Sequence, residues 1–168
     1  LINERINEFV GDMEKTLILR KVRDERFYQK LHNQEVHLKP YALEIMDYLD
    51  SKGIPFALVT STIRDKATQV LSCFNLLHRF KFILFGDDVH DSKPNPEIYL
   101  KAISQSGFDA SQIIVFEDSM NVIQACNNAG LDVIYVPDRG RIDTDDLILF
   151  GEVQDFNEGI KMISLYID

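Results

Sequence analysis

The 168-residue chain lacks the features that would tie it to a nucleic acid or to a membrane. Its formal net charge is −9 at pH 7, so it has no surplus of basic residues to displace counterions from a phosphate backbone. It also has no apolar run of membrane-spanning length and no signal-peptide pattern. We therefore expect neither a nucleic-acid partner nor a membrane partner.

Cysteine is scarce as well: the chain contains only Cys73 and Cys126, without metal-ligand spacing. Both lie in apolar helical patterns, which predicts buried thiols in a reducing, cytoplasmic setting. The length and the 45% hydrophobic content fit one domain with a substantial core, and we expect a monomer or a weak homo-oligomer. Because the chain begins with Leu1 instead of Met, we expect a trimmed or processed N-terminus.

The chain changes character near Val36. Residues 1–35 have helical spacing throughout, with a break near Gly11 to Lys15. Beyond Val36, helices alternate with short apolar strands, which predicts an α/β fold with a parallel, doubly wound sheet. The strands are expected at 55–59, 82–85, 112–116 and 132–136, and the helices at 41–52, 63–73, 96–106, 119–129 and 156–165.

A group of basic residues stands out on the second helix of this acidic chain. Such a group is typical of a solvated helix face, and the alternative is a cationic lip over an anionic substrate. Its members are Arg20, Lys21, Arg23 and Arg26.

The rest of the chain is organised around residues 113–130, IIVFEDSMNVIQACNNAG. The apolar run predicts a strand buried on both faces, and Ser119 is a plausible N-cap of the helix that follows. Glu117 and Asp118 come directly after the strand, where open α/β sheets place their ligands. Two carboxylates at this point are hard oxygen ligands that suit magnesium, or they simply mark a capped surface turn.

Two further loops carry polar groups to the same predicted sheet edge. Hydroxyls follow the strand at 55–59, and Lys93 follows the strand at 82–85. Hydroxyls and helix N-terminal amides bind phosphate oxygens, and a lysine adds positive charge. Each group also has a structural interpretation, because the hydroxyls could cap the helix at 63–73 and Lys93 could be a surface lysine. The hydroxyls belong to Thr60, Ser61 and Thr62.

Three segments in this order, FALVTST, GDDVHDSKPNPEIYL and IIVFEDSMNVIQACNNAGL, resemble the motifs of the haloacid dehalogenase superfamily. The chain is similar to the branch with a helical cap, which holds phosphoglycolate phosphatases, other sugar-phosphate phosphatases and β-phosphoglucomutases. The resemblance covers nearly the whole chain. It implies a Rossmann-like core at residues 36–168 and the C-terminal part of the helical cap at residues 1–35.

The resemblance also implies residue roles. Thr60, Lys93 and Asp118 would be catalytic. Asp118 would coordinate Mg²⁺, with Glu117 as a direct or water-mediated ligand. The transferring phosphoryl group would be held by Thr60, Ser61, Thr62 and Lys93.

The sequence departs from the family pattern at three places. Val122 and Tyr41 stand where relatives usually have glycine, so we expect altered local packing there. The third departure is larger, because the DxDxT segment that supplies the nucleophilic aspartate does not occur in these 168 residues. The strand carrying that segment lies in the middle of the family's sheet, and its removal would leave two strands with unpaired backbone groups.

These observations predict part of a Mg²⁺-dependent phosphatase that acts on a small phosphorylated metabolite through an aspartyl-phosphate. The nucleophile is expected on an N-terminal segment outside these residues, and the 168 residues alone are expected to be inactive. One alternative is a phosphomutase of the β-phosphoglucomutase kind. A second is a non-catalytic module that retains a phosphate and magnesium pocket.

Overall fold

A computed structural model describes residues 11–138, 140 and 142–167 of the chain. The chain divides into two compact units, Leu1–Leu38 and Lys39–Asp168. The helix predicted at the start of the chain covers residues 1–10, which lie outside the described residues.

In the first unit, the described residues form one long helix, α1 (Met13–His32). Asp12 caps its start, because its carboxylate accepts hydrogen bonds from the amides of Glu14 at 3.0 Å and Lys15 at 3.2 Å. The predicted break from Gly11 to Lys15 was too long, because the helix already begins at Met13.

The second unit alternates helices with parallel strands, as the sequence predicts. The strand predicted at 55–59 is shorter than expected and extends only over Leu58–Val59, although the Phe56 carbonyl already accepts a hydrogen bond from the Lys81 amide at 2.8 Å. The elements in order are α2 (Ala42–Ser51), β1 (Leu58–Val59), α3 (Arg64–Cys73), β2 (Ile83–Leu84), α4 (Glu97–Ser106), β3 (Ile114–Glu117), α5 (Met120–Asn128), β4 (Asp132–Tyr135), β5 (Gly151–Glu152) and α6 (Phe156–Ile167).

The five described strands form two separate parallel sheets. One contains β1 and β2, and the other has the order β3-β4-β5. β4 is the central strand, and its residues 133–135 are at most 1% exposed. β3 has an equally apolar sequence but is only half-buried, because among the described strands it pairs with β4 alone. β1 and β3 thus each present an edge without a strand partner within the described part of the chain.

Side chains of β4 alternate between two apolar clusters, one on each face of the sheet. Val133 and Tyr135 join residues of α4 and α5, including Ile98 and Ile123, in the first cluster. Ile134 packs in the second cluster with residues of α2 and α6. Helices on both faces of a parallel sheet make a doubly wound α/β fold, so the predicted fold class is confirmed.

Tyr41 adopts a conformation that a glycine would take more easily. Its φ of 62° lies in the left-handed region, directly before α2. This is one of the positions where the sequence departs from the glycine usual in the family. The backbone therefore keeps the turn that glycine favours and carries the strain of a side chain there.

Two expectations about exposure have different outcomes. Cys126 is fully buried, as predicted, but Cys73 is exposed because it lies on the outward side of the last turn of α3. The prediction of a buried Cys73 thiol was wrong. Within the described residues, no helix is both long enough and apolar enough to cross a membrane.

Candidate functional site

The loop after β1 places three hydroxyls at the carboxyl end of the two-stranded sheet. The Thr60 amide donates to the Leu84 carbonyl at 2.9 Å and continues the pairing with β2. The Thr60 hydroxyl accepts from the Thr62 amide at 3.1 Å, which closes a tight turn. Because a hydroxyl has one donor and two acceptor positions, its proton stays free for a ligand oxygen. Ser61 and Thr62 are exposed beside it.

Gly86 supports this hydroxyl turn from behind. Its amide donates to the Thr62 carbonyl at 2.9 Å. A Cβ added at Gly86 would lie 2.7 Å from the carbonyl carbon of Ser61, and closer still to its oxygen. Only glycine lets the loop after β2 approach the turn this closely.

The start of α3 is capped from the loop after β2, and not by the hydroxyl turn. Asp87 accepts a hydrogen bond from the Arg64 amide at 2.9 Å. Asp88 pairs with the Arg64 guanidinium at 2.6 Å and accepts from the Phe85 amide at 2.9 Å, and that amide bond chiefly lowers the pKa of Asp88. The structural interpretation of the hydroxyls as helix caps is therefore unnecessary.

Lys93 reaches from its loop to the end of β1. Its ammonium donates to the Val59 carbonyl at 3.3 Å and to the Tyr99 hydroxyl at 3.1 Å, and it lies 4.7 Å from the centre of the Tyr99 ring. Burial lowers the pKa of Lys93, while the nearby Glu117 carboxylate opposes this shift. Lys93 is thus a partly buried cation, and the surface-lysine interpretation is wrong.

Behind Lys93 lies a buried polar chain that the sequence did not reveal. Tyr99 is 2% exposed, and its hydroxyl, besides accepting from Lys93, is hydrogen-bonded to the fully buried thiol of Cys126. Burial raises the pKa of both groups, that of Cys126 to about 11. Both therefore stay protonated near neutral pH and serve as neutral partners of the ammonium.

Glu117 and Asp118 stand at the end of β3, but they differ in what they contact. Glu117 folds back over the start of α5 and accepts from the Asp118 amide at 2.9 Å and from the Ser119 amide. Burial raises the pKa of Glu117, and those amide bonds and Lys93 oppose the shift. Ser119 occupies the N-cap position, but its hydroxyl makes no cap hydrogen bond among the described residues. The Glu117 carboxylate accepts from amides that precede the helix, so it does not replace that cap.

Asp118 is turned toward a residue that sequence analysis missed. Its carboxylate lies 2.8 Å from the ammonium of Lys39, which precedes α2 and also approaches the Val136 carbonyl at 3.4 Å. Lys39 and Asp118 are 79 residues apart in the sequence. No local pattern could have revealed the contact.

The donor set at the end of β3 was compared with the needs of Mg²⁺. Among the described residues, no group of three or more histidine, cysteine or acidic side chains is arranged to hold a metal. Two adjacent carboxylates, Glu117 and Asp118, remain. Mg²⁺ in phosphate-handling sites is commonly held by one or two carboxylates, with water and substrate oxygens completing six ligands. The residues present fit that cation.

A comparison with protein families gives a match to the haloacid dehalogenase-like hydrolases over residues 2–136. The chain belongs to this family. The match spans the hydroxyl turn, Lys93 and the two carboxylates.

Curated relatives agree with this assignment. The phosphorylated carbohydrates phosphatase of Thermotoga maritima is 32% identical over 118 residues, which cover 66% of this chain and 55% of the relative. The phosphoglycolate phosphatase of Escherichia coli K12 is 32% identical over 125 residues, which cover 74% of this chain and 49% of the relative. The chain therefore spans about half the length of these relatives.

Solved structures give the same fold. A crystal structure of a candidate β-phosphoglucomutase from Thermotoga maritima is 25% identical with a TM-score of 0.75, covering 92% of this chain and 70% of the other. CbbY from Rhodobacter sphaeroides in complex with phosphate has a TM-score of 0.76 at 23% identity, covering 94% of this chain and 74% of the other. The second likeness concerns the fold alone.

Proposed function

We propose that the chain is part of a Mg²⁺-dependent phosphatase that acts on a small phosphorylated metabolite of the sugar-phosphate or phosphoglycolate type. The observation that carries this proposal is the position of Lys93. Its ammonium contacts the end of β1 through the Val59 carbonyl and interacts electrostatically with Glu117 at the end of β3. This cation would thereby link the hydroxyl turn at the end of β1 with the two carboxylates at the end of β3, as phosphoryl transfer requires.

The phosphoryl group would be bound at the two-stranded sheet. Thr60 offers its hydroxyl proton, and Ser61 and Thr62 are exposed next to it. Lys93 would neutralise a phosphate oxygen, because its burial strengthens any charge pair it forms. This lysine is poised for that role because its direct hydrogen-bond partners, the Val59 carbonyl and the Tyr99 hydroxyl, are neutral.

The metal would be bound at the end of β3. Asp118 offers an exposed carboxylate oxygen as a direct ligand, and Glu117, already accepting backbone amides, would act directly or through water. When bound, Mg²⁺ would supply positive charge that neutralises the phosphate. The carboxylates hold and orient it, and they do not act as the nucleophile.

The nucleophile would be an aspartate on a strand outside these 168 residues. The unpaired edges of β1 and β3 support this proposal, because an apolar strand such as β3 normally lies inside a parallel sheet. Attack by that aspartate on phosphorus would release the alcohol and form an aspartyl-phosphate, which water would hydrolyse to inorganic phosphate. The relatives' greater length supports it as well.

A phosphomutase is the second candidate. One structural neighbour at 25% identity is named a candidate β-phosphoglucomutase, and it covers 92% of this chain. A mutase would use the same groups and return the phosphoryl group to the sugar. We further infer a cytoplasmic monomer or weak homo-oligomer, consistent with one exposed and one buried free thiol.

The test compares the complete reading frame with the 168-residue chain in the hydrolysis of p-nitrophenyl phosphate. We expect the complete protein to be active with Mg²⁺, inactive with EDTA, and inactive as Asp118→Asn. The 168-residue chain should be inactive. Turnover of a hexose 1-phosphate to its 6-phosphate by the complete protein would favour the mutase, and a complete protein inert in both assays would favour the non-catalytic module.

A further inference from the structure

The contact between Lys39 and Asp118 places an internal cation where a metal would bind. The ammonium is 2.8 Å from the Asp118 Oδ2 atom, and the two side chains are 30% and 34% exposed. Both residues belong to the Lys39–Asp168 unit. Lys39 also points a second N–H at the Val136 carbonyl, so its position is fixed from two sides.

Lys39 and Lys93 interact with different carboxylates. Lys93 interacts electrostatically with Glu117 and donates hydrogen bonds to the Val59 carbonyl and the Tyr99 hydroxyl. Lys39 contacts Asp118 directly, near solvent, with an ammonium that can only donate. An incoming divalent cation would bind the same carboxylate and carries the same sign of charge as Lys39.

We propose that Lys39 is a built-in competitor for the metal: in the metal-free protein it pairs with the Asp118 carboxylate that Mg²⁺ would bind. This rests on the magnesium site proposed above. The competition lowers the affinity for the cation in two ways, because the ion pair must be weakened and because a positive charge stays close by. Charges about 4 Å apart in water change an equilibrium constant by about five-fold, and by more in a partly buried site.

The test measures binding of Mn²⁺, a spectroscopic substitute for Mg²⁺, to the protein of the complete reading frame by electron paramagnetic resonance of the free ion. Lys39→Met keeps the side-chain length and removes the charge, and we expect it to bind Mn²⁺ about five-fold more tightly than the wild type, or tighter still. Because the pair is part-exposed, its loss should leave the fold intact. Mg²⁺ should displace the bound Mn²⁺ in both proteins.

Two control variants separate competition from a general change in net charge. Lys39→Arg retains the charge and should bind Mn²⁺ within about two-fold of the wild type. Lys52→Met makes the same change in net charge at the other end of α2, about 15 Å along the helix, and should leave the affinity unchanged.

The outcomes distinguish this inference from the proposed function. Unchanged or weaker Mn²⁺ binding by Lys39→Met, with wild-type binding present, would overturn the inference and leave the magnesium site standing. If neither protein binds Mn²⁺, both the inference and the proposed metal site fail. If Lys39→Met binds Mn²⁺ more tightly than the wild type, and if adding Asp118→Asn abolishes that binding, Lys39 competes for the Asp118 carboxylate.

Discussion

The candidate site is divided between two sheets that hold their parts in different ways. The phosphate half, at the end of β1, depends on loop contacts such as the approach of Gly86 to Ser61. The metal half, at the end of β3, is attached to β4, whose residues 133–135 are buried. The sheets are not hydrogen-bonded to each other within the described residues, and Lys93 is the side chain that reaches both halves. We therefore expect loop packing to determine the geometry of the phosphate half, and the hydrophobic core to determine the geometry of the metal half.

The largest expected effect on stability comes from Gly86→Ala. The added methyl group would overlap the Ser61 backbone, which cannot move without displacing the hydroxyl turn. We expect a loss of about 3 kcal/mol in the free energy of unfolding, at the upper end for overpacking. Urea denaturation measures it.

The matched control for this prediction is Gly151→Ala in β5. There the added methyl group would meet only the flexible end of the Met162 side chain, at 2.6 Å from its sulfur. We expect a smaller loss, because a methionine end adapts easily. Equal losses for the two variants would contradict the claim that the phosphate half is the one held by close backbone packing.

A smaller effect is expected from Tyr99→Phe, which removes the hydroxyl between Lys93 and Cys126. The ammonium and the thiol would lose a buried partner, at a cost of about 1.5 kcal/mol in the free energy of unfolding. Tyr48→Phe is the comparison, because the buried Tyr48 hydroxyl has no hydrogen-bond partner among the described residues. Its removal should be neutral or stabilising. Chemical denaturation of both variants measures these changes. A larger loss in the free energy of unfolding for Tyr48→Phe than for Tyr99→Phe would refute this account.

The smallest effect concerns the two thiols. Cys73 is exposed and should react quickly with a disulfide reagent at pH 8, while Cys126 should react only on unfolding. Cys73→Ser should therefore remove the fast phase, and a fast phase that persists in this variant would contradict the buried position of Cys126.

The pKa of Cys126 also predicts a pH dependence of stability. Burial raises it from 9.0 to about 11, so the folded protein keeps a proton that the unfolded chain releases. The resulting stability is complete below about pH 9 and is lost as the pH rises toward 11. Cys126→Ala should lose less stability over this interval than the wild type, as measured by urea denaturation at both pH values. An equal loss of stability in the two proteins would show that the Cys126 thiol does not cause this pH dependence.

The sequence predicted the parts of this site that depend on local pattern. A continuous apolar run located β3, and the polar groups after the strands located Thr60 after β1, Lys93 after β2 and Asp118 after β3. The single sheet edge that was expected is divided between two sheets in the structure. The roles of these residues toward phosphate and Mg²⁺ remain proposals. The parallel, doubly wound fold was predictable for the same reason.

Tertiary contacts account for what the sequence did not reveal. Ser119 has the right residue type for an N-cap, but its hydroxyl makes no cap hydrogen bond among the described residues. Cys73 follows a helical pattern whose buried side could not be assigned without the sheet. Lys39 meets Asp118 only because the segment before α2 passes the end of β3.

The most direct test of a shared phosphate and magnesium site is calorimetric titration of inorganic phosphate into the 168-residue chain, with and without Mg²⁺. We predict that Mg²⁺ strengthens phosphate binding. Lys93→Met should weaken it by at least about ten-fold, the loss expected for one charged hydrogen bond. Phosphate binding that is independent of both Mg²⁺ and Lys93 would contradict the account.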